Sequence, residues 1–340
     1  MVLWIFYLAA LIISTAATAL ILRWLIPKLK SIKMGQKILE IGPRWHKSKE
    51  GTPTMGGIAF IAGITIALAL SVGAALLTSD ILSLGGTSRE LKWIAVVFGY
   101  ALINALIGVV DDVAKFKKQQ NEGLTAPQKY LLQLAAAASF LFMMRALGLV
   151  STEIYFPFFD YTLVLAGFGK IVYYIVMLLL LTGMVNSVNL TDGIDGLASS
   201  ITLVVCAFFS VIAFIANRAD CALLASSCLG GCLGFLVYNF HPAKVFMGDT
   251  GSLFLGAFVV GCAFSLNNPL IILLCGLVYV IETASVMLQV GYFKLTHGKR
   301  IFKMTPIHHH FEQCGWGEVK IVSVFSAITA IFCVIAYFGF

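Results

Sequence analysis

The sequence predicts an all-α integral membrane protein, about ten transmembrane helices forming a single polytopic membrane domain over residues 1–340. Two observations carry that prediction. The first is the scarcity of charge: 23 Lys and Arg and 16 Asp and Glu make up 11% of 340 residues, against 60% hydrophobic. A water-covered surface normally needs about 25% charged residues. The second is the set of long charge-free runs, each able to cross a hydrocarbon core of roughly 30 Å at about 1.5 Å per residue.

The first run, residues 2–22, has no basic segment before it and is too long for the apolar core of a cleaved leader; Arg23, Lys28 and Lys30 follow it, so it reads as a span. Further spans follow at 56–77, 93–110, 130–149, 171–188, 197–216, 222–240, 251–266, 269–292 and 321–338. The eighth is short, and Asn267-Asn268-Pro269 divides it from the ninth. Barrel-type alternation is absent, and helices satisfy every backbone amide within lipid.

Eighteen of the 23 basic residues fall in or beside the loops after the odd-numbered spans, leaving Arg89, Lys92, Arg145, Lys170 and Arg218 for the other side. By the positive-inside rule the rich side is cytoplasmic and both termini are extracytoplasmic. The net charge of +7 is thereby a matter of topology and attraction to membrane lipids; no nucleic acid is implied. The eight cysteines lie mainly within apolar spans, Cys228 and Cys232 one turn apart, with no CxxC pair, and read as packing residues.

The polar motifs gather on the cytoplasmic face, which puts the active site at that interface. Asp111 and Asp112 end the third span, and two adjacent carboxylates at a lipid boundary call for a cation or a basic partner. Asn189, Asp192 and Asp195 recur at i, i+3 and i+6 beside Gly193 and Gly196, a fan of polar groups if the helix continues. Gly248-Asp249-Thr250-Gly251-Ser252 enters the eighth span, where free amides and the helix dipole favour a phosphate, although Asp249 also suits an ordinary helix cap. His308, His309 and His310 lack the i, i+4 spacing of a helical zinc site; beside Lys299, Arg300 and Lys303 they read as donors to a diphosphate. Glu282, Ser285 and Gln289 share one face of the ninth span, and an acid inside a membrane is a functional candidate. Together these residues point to a metal-dependent reaction, with Mg²⁺ (magnesium), on a phosphorylated substrate.

Lys49 with Gly51-Thr52-Pro53-Thr54-Met55-Gly56-Gly57, the run from Asn189 to Ala198, Phe246 to Ser252, and Pro306 to Glu312 occur in that order along nearly the whole chain. In this the sequence resembles the polyprenyl-phosphate N-acetylhexosamine-1-phosphate transferases, most closely the branch acting on phospho-N-acetylmuramoyl-pentapeptide. The resemblance implies a homodimeric, multi-pass enzyme of the bacterial inner membrane. Its substrates would be UDP-MurNAc-pentapeptide and undecaprenyl phosphate, its products lipid I and UMP, and its cofactor Mg²⁺. It places the catalytic acids at Asp111 and Asp112, the metal ligand at Asp249 and a histidine box at His308, His309 and His310. It places nucleoside and sugar contacts at Asn189, Asp192, Gly193, Ile194, Asp195, Phe246 and Gln289, with Lys49 near the nucleotide. The alternative within the superfamily is transfer of GlcNAc-1-phosphate from UDP-GlcNAc; the Pro306–Glu312 box favours the muramoyl substrate. A membrane aromatic prenyltransferase is disfavoured because Asp111-Asp112-Val113-Ala114-Lys115 fails the DDxxD pattern at its last position. A transporter is disfavoured because the first, second and tenth spans carry almost no charge.

Overall fold

A computed structural model describes residues 3–32, 49, 51–77, 87–118, 123–156 and 158–340. Lys33, Lys37, Arg44 and Lys47 of the first basic loop, and Glu50 beside Lys49, lie outside the described residues. The chain is mostly helical: α1 (Leu3–Ser31), α2 (Gly57–Leu77), α3 (Thr87–Lys118), α4 (Ala126–Ala146), α5 (Gly169–Thr191), α6 (Leu197–Ile215), α7 (Ala219–Asn239), α8 (Gly248–Ser265), α9 (Ile272–Cys275), α10 (Leu277–Leu295), α11 (Ile307–Gln313) and α12 (Glu318–Phe338).

Among the described residues eight helices are long and apolar enough to cross a membrane, and a ninth crossing results if the segments around Gly276 are one broken span. Their outward faces carry Leu20, Leu70, Leu106, Leu179 and Val237, each more than half exposed. Such a surface is stable only against lipid. The inward faces pack on α8, which is lined by α3, α5 and α2. Every residue of α8 from Thr250 to Ser265 is buried, including Phe254, Phe258 and Phe264.

Three expectations from the sequence need correction. The third span does not stop at Val110 but continues through Lys118, so Asp111 and Asp112 sit inside α3. Lys115, Lys117 and Lys118 favour that extension at the negative end of the helix dipole, and Lys115 lies one turn below Asp111. The helix that was to carry Asn189, Asp192 and Asp195 together ends at Thr191, with Asp192 as its cap and Asp195 in the following turn. The ninth span is a 3₁₀ turn, Pro269–Ile271, then α9 and α10, bent by 80° at Gly276, whose low helix propensity lets the chain turn. Between α4 and α5, where no span is expected, β1 (Glu153–Phe156) and β2 (Tyr161–Val164) form an antiparallel hairpin pairing Tyr155 with Thr162. Aromatic and β-branched residues at those positions suit a pleated, half-covered surface.

Candidate active site

α3 reaches α8 because position 108 is glycine. A Cβ there would lie 2.3 Å from the carbonyl oxygen of Asp249, well inside contact distance. One turn further on, Asp112 takes over the exposed end of α8. Its Oδ1 accepts the Asp249 N–H at 3.1 Å, and its Oδ2 accepts the Thr250 N–H at 2.9 Å and the Thr250 hydroxyl at 2.7 Å. The first amides of a helix have no partner within it, and a carboxylate satisfies both donors and dipole. The expectation that free amides here await a phosphate is therefore corrected: those of Asp249 and Thr250 are held by Asp112.

Asp111 faces the other way. Its Oδ1 accepts the Leu124 N–H at 2.7 Å, and its Oδ2 pairs with Lys115 Nζ at 2.7 Å. The same ammonium reaches Asp249 Oδ2 at 2.8 Å, so Lys115 bridges the two acids. Lys129, in the first turn of α4, binds that Asp249 oxygen at 2.7 Å and donates to Asn189 Oδ1 at 3.2 Å. Asn189 Nδ2 donates to Asp249 Oδ1 at 2.9 Å and to the Ser252 hydroxyl at 2.8 Å. Four helices thus converge on one carboxylate, Asp249.

Each of Asp111, Asp112 and Asp249 offers an oxygen within 4.8 Å of the others'. Three hard oxygen donors in that space suit a divalent cation of the Mg²⁺ type rather than a thiophilic metal. Two lysine ammonium groups now pair with Asp111 and Asp249, and their flexible stems allow them to yield, whereas Asp112 is held by the start of α8.

A second group lies beside this one. Lys49 Nζ contacts Asp195 Oδ1 and Glu318 Oε2, both at 2.6 Å, and Glu318 Oε2 also accepts the Asp195 N–H at 2.9 Å. Asp195 Oδ2 meets His241 Nδ1 at 3.0 Å and accepts the Ala243 N–H at 2.9 Å. Asp195, His241 and Glu318 form a second set spaced for a cation, with Lys49 already between two of its carboxylates. Ile194 is buried beneath the turn. Phe246 is tied through its backbone to the Pro53 carbonyl and the Gly56 N–H, each at 2.8 Å, which docks the loop after Lys49 on the entry to α8.

Asp192 lies between the two groups. Burial first, then the charges of Asp249, Asp112 and Asp195, push its carboxyl from 3.8 up to about 8. The folded protein therefore holds a proton that the unfolded chain releases near pH 4. The stability this contributes is fully present below that pH, falls as pH rises, and is lost above about 8. Asp192→Asn keeps the neutral shape, so its Tm advantage over the parent is expected to widen from pH 4 to 8 and level off beyond. Thermal unfolding across that range tests this; a pH-independent gap would mean Asp192 is charged throughout.

The histidine box arrives on α11. His308 is fully buried, with Nδ1 3.0 Å from Glu282 Oε2, so the intramembrane acid of α10 anchors it. Its Nε2 has no hydrogen-bond partner and sits against Gly193, where a Cβ would lie 2.2 Å away. His309 Nδ1 lies 2.6 Å from Glu312. His310 Nδ1 accepts the Lys303 N–H at 3.1 Å, and Gln289 Oε1 accepts the N–H groups of Ile301 and Phe302, which fixes the loop leading to the box. Lys303 Nζ donates to the Gln313 carbonyl at 3.1 Å and so faces its own loop. Sequence reasoning missed Lys115, Lys129, Ser252, His241 and Glu318 as members of these networks. The one available signal was Lys115, at i+4 from Asp111.

The chain matches known proteins along most of its length. Residues 93–267, which hold Asp111, Asp112, Asn189 and Asp249, match the model of glycosyl transferase family 4. Residues 49–61 match phospho-N-acetylmuramoyl-pentapeptide-transferase signature 1. A phospho-N-acetylmuramoyl-pentapeptide-transferase of Clostridium acetobutylicum is 43% identical over 92% of this chain and 92% of its own length. One from Clostridium botulinum is 42% identical over 97% of this chain and 95% of its own, and one from Caldicellulosiruptor bescii is 41% identical over 96% and 95%. On the identity shared along nearly its whole length, the chain belongs to glycosyl transferase family 4 and, within it, to the phospho-N-acetylmuramoyl-pentapeptide-transferases.

Proposed function

We infer that this chain transfers phospho-MurNAc-pentapeptide from UDP-MurNAc-pentapeptide to undecaprenyl phosphate, giving lipid I and UMP for peptidoglycan synthesis. The observation that carries the reading is the hub at Asp249, where membrane helices bring three carboxylates, two lysines and an asparagine to one point. That composition suits an exchange between two anions. A phosphate oxygen of the lipid bonds to the sugar-side phosphorus of the diphosphate, the bond from that phosphorus to the bridging oxygen breaks, and UMP leaves with that oxygen. One diphosphate linkage replaces another, so the exchange is nearly balanced.

Asp249 holds the divalent cation, Mg²⁺, with Asp111 or Asp112 beside it; when bound, the cation neutralises charge on the diphosphate. Asp111 Oδ2, once Lys115 withdraws, accepts the proton of the lipid phosphate. Asp112 positions the entry of α8. Lys115 and Lys129 turn from Asp249 toward the phosphates as substrate enters, and the repulsion between the two anions is offset by ammonium groups already in place. Lys49, Asn189, Asp192, Gly193, Ile194, Asp195, Phe246 and Gln289 receive the nucleoside and sugar, and His308, His309 and His310 close the site on the diphosphate side. The enzyme works as a homodimer of ten-span protomers in the bacterial inner membrane, one polytopic domain each, with both termini outside and the site on the cytoplasmic face.

Lys115 gives a test that needs no turnover. In Lys115→Met the acids at 111 and 249 lose their shared counter-charge, so Tm in chelator is expected to fall by several degrees and Mg²⁺ to restore most of the loss. The parent should move less. Equal, Mg²⁺-independent Tm values would remove the lysine from competition with the cation. The reaction itself is tested by mass spectrometry of the lipid fraction: one undecaprenyl-diphosphate-linked MurNAc-pentapeptide is expected per UMP formed, and UMP without that lipid would mean hydrolysis instead.

A further inference from the structure

Glu282 lies inside α10 with no exposure, and the phosphate exchange gives it no part. What it touches is His308, which is also fully buried. Its Oε2 faces His308 Nδ1 at 3.0 Å and accepts the His308 backbone N–H at 3.5 Å, so one oxygen holds both the side chain and the backbone of that residue. Against a carboxylate oxygen Nδ1 carries its hydrogen, and the ring is fixed in one orientation. Its far tip rests on the backbone at Gly193, where a Cβ would lie 2.2 Å from Nε2 and 2.7 Å from Cε1.

The pair is costly to bury. Glu282 Oε1 and His308 Nε2 have no hydrogen-bond partner, so a polar atom is left unmet at each end. An apolar pair of the same volume would fill the space without that penalty, but it would have no fixed direction. The acid and the imidazole instead form a strut of set length from α10 to the turn at Gly193. The same helix grips α5 one residue later, where the Thr283 hydroxyl donates to the Ser187 hydroxyl at 2.7 Å. Because α5 ends at Thr191, α10 holds the following turn twice, through its helix and beneath Gly193. Asp192 and Gly193 keep part of their surface open, whereas Ile194 and Asp195 are buried.

We propose that Glu282 is a positioning residue for the donor nucleotide: through His308 it sets the turn at Gly193, and with it the affinity of the site for the UMP half of the substrate. This rests on the reading that residues 192–195 receive the nucleoside. Reach is the property at work. Glu282→Gln keeps the length and an oxygen for both N–H groups, whereas Glu282→Asp keeps the charge and draws its oxygens back by about 1.5 Å.

The test uses the full chain in detergent, with UMP binding as the probe of the turn and KM measured for each substrate. The parent and Glu282→Gln should bind UMP within about threefold of each other, and Glu282→Asp about tenfold more weakly. KM for UDP-MurNAc-pentapeptide should rise in step while KM for undecaprenyl phosphate holds, a split that a mere loss of folded protein does not produce. Gly193→Ala meets the ring tip from the side of the turn and should weaken UMP binding as well; it keeps the test valid if Glu282→Asp fails to fold. UMP affinity equal to the parent's in Glu282→Asp or in Gly193→Ala, an equal loss in Glu282→Gln, or a common rise in both KM values would overturn the proposal and leave the nucleoside reading standing. A parent chain that does not bind UMP would overturn that reading and the proposal with it.

Discussion

Asp249→Ala is expected to lower UMP formation on the order of 10³-fold, the largest effect of any single change in this chain. The expectation follows from how much converges on that carboxylate: Lys115 and Lys129 on Oδ2, Asn189 on Oδ1, with the oxygens of Asp111 and Asp112 close by. Removing it leaves two ammonium groups without their shared partner and takes the central oxygen pair from any cation. Asp249→Asn separates charge from shape. Its amide retains one oxygen for Asn189 or Lys129, so the fold should survive with a Tm within a few degrees of the parent, while turnover falls nearly as far. An Asp249→Ala variant with normal Mg²⁺-dependent turnover would falsify the assignment of Asp249 as the cation's ligand.

Asp111→Asn is expected to slow the single-turnover rate by about 10² to 10⁴-fold and to flatten its rise with pH. The backbone contact is kept, because an amide oxygen still accepts the Leu124 N–H; what is lost is the charge paired with Lys115. Rate and profile must both be read. A lower rate with an unchanged profile would make Asp111 a positioning group, and an unchanged rate would end its role as base. Asp112 provides the contrast, since both its oxygens are committed to the amides and hydroxyl at the start of α8.

The acids of this site were legible in the sequence because charge is conspicuous in so apolar a chain. Asp111, Asp112, Asp249 and His308 each stand out against long uncharged runs, and the structure brings all of them to one end of the helices. The lysines were not legible, for a physical reason: Lys115 and Lys129 flank membrane helices, where basic residues ordinarily mark orientation. Glu318 falls before the expected span at 321–338 and carried no signal of its own, yet it opens α12 and anchors Lys49. Helix ends were misjudged where they were set by the last uncharged residue; α3 runs on past Val110 because its acids and Lys115 neutralise each other one turn apart. The hairpin at 153–164 was hidden because four-residue strands carry little periodicity.

The reaction assigned to this site is the exchange of a muramoyl diphosphate for a lipid diphosphate. It is tested most directly by UMP release from the purified chain in detergent with undecaprenyl phosphate and Mg²⁺, offering UDP-MurNAc-pentapeptide and UDP-GlcNAc in separate reactions. Release with the muramoyl substrate alone, abolished by chelator and absent in Asp249→Ala, is the predicted result. Release with UDP-GlcNAc alone, or with neither, would contradict it.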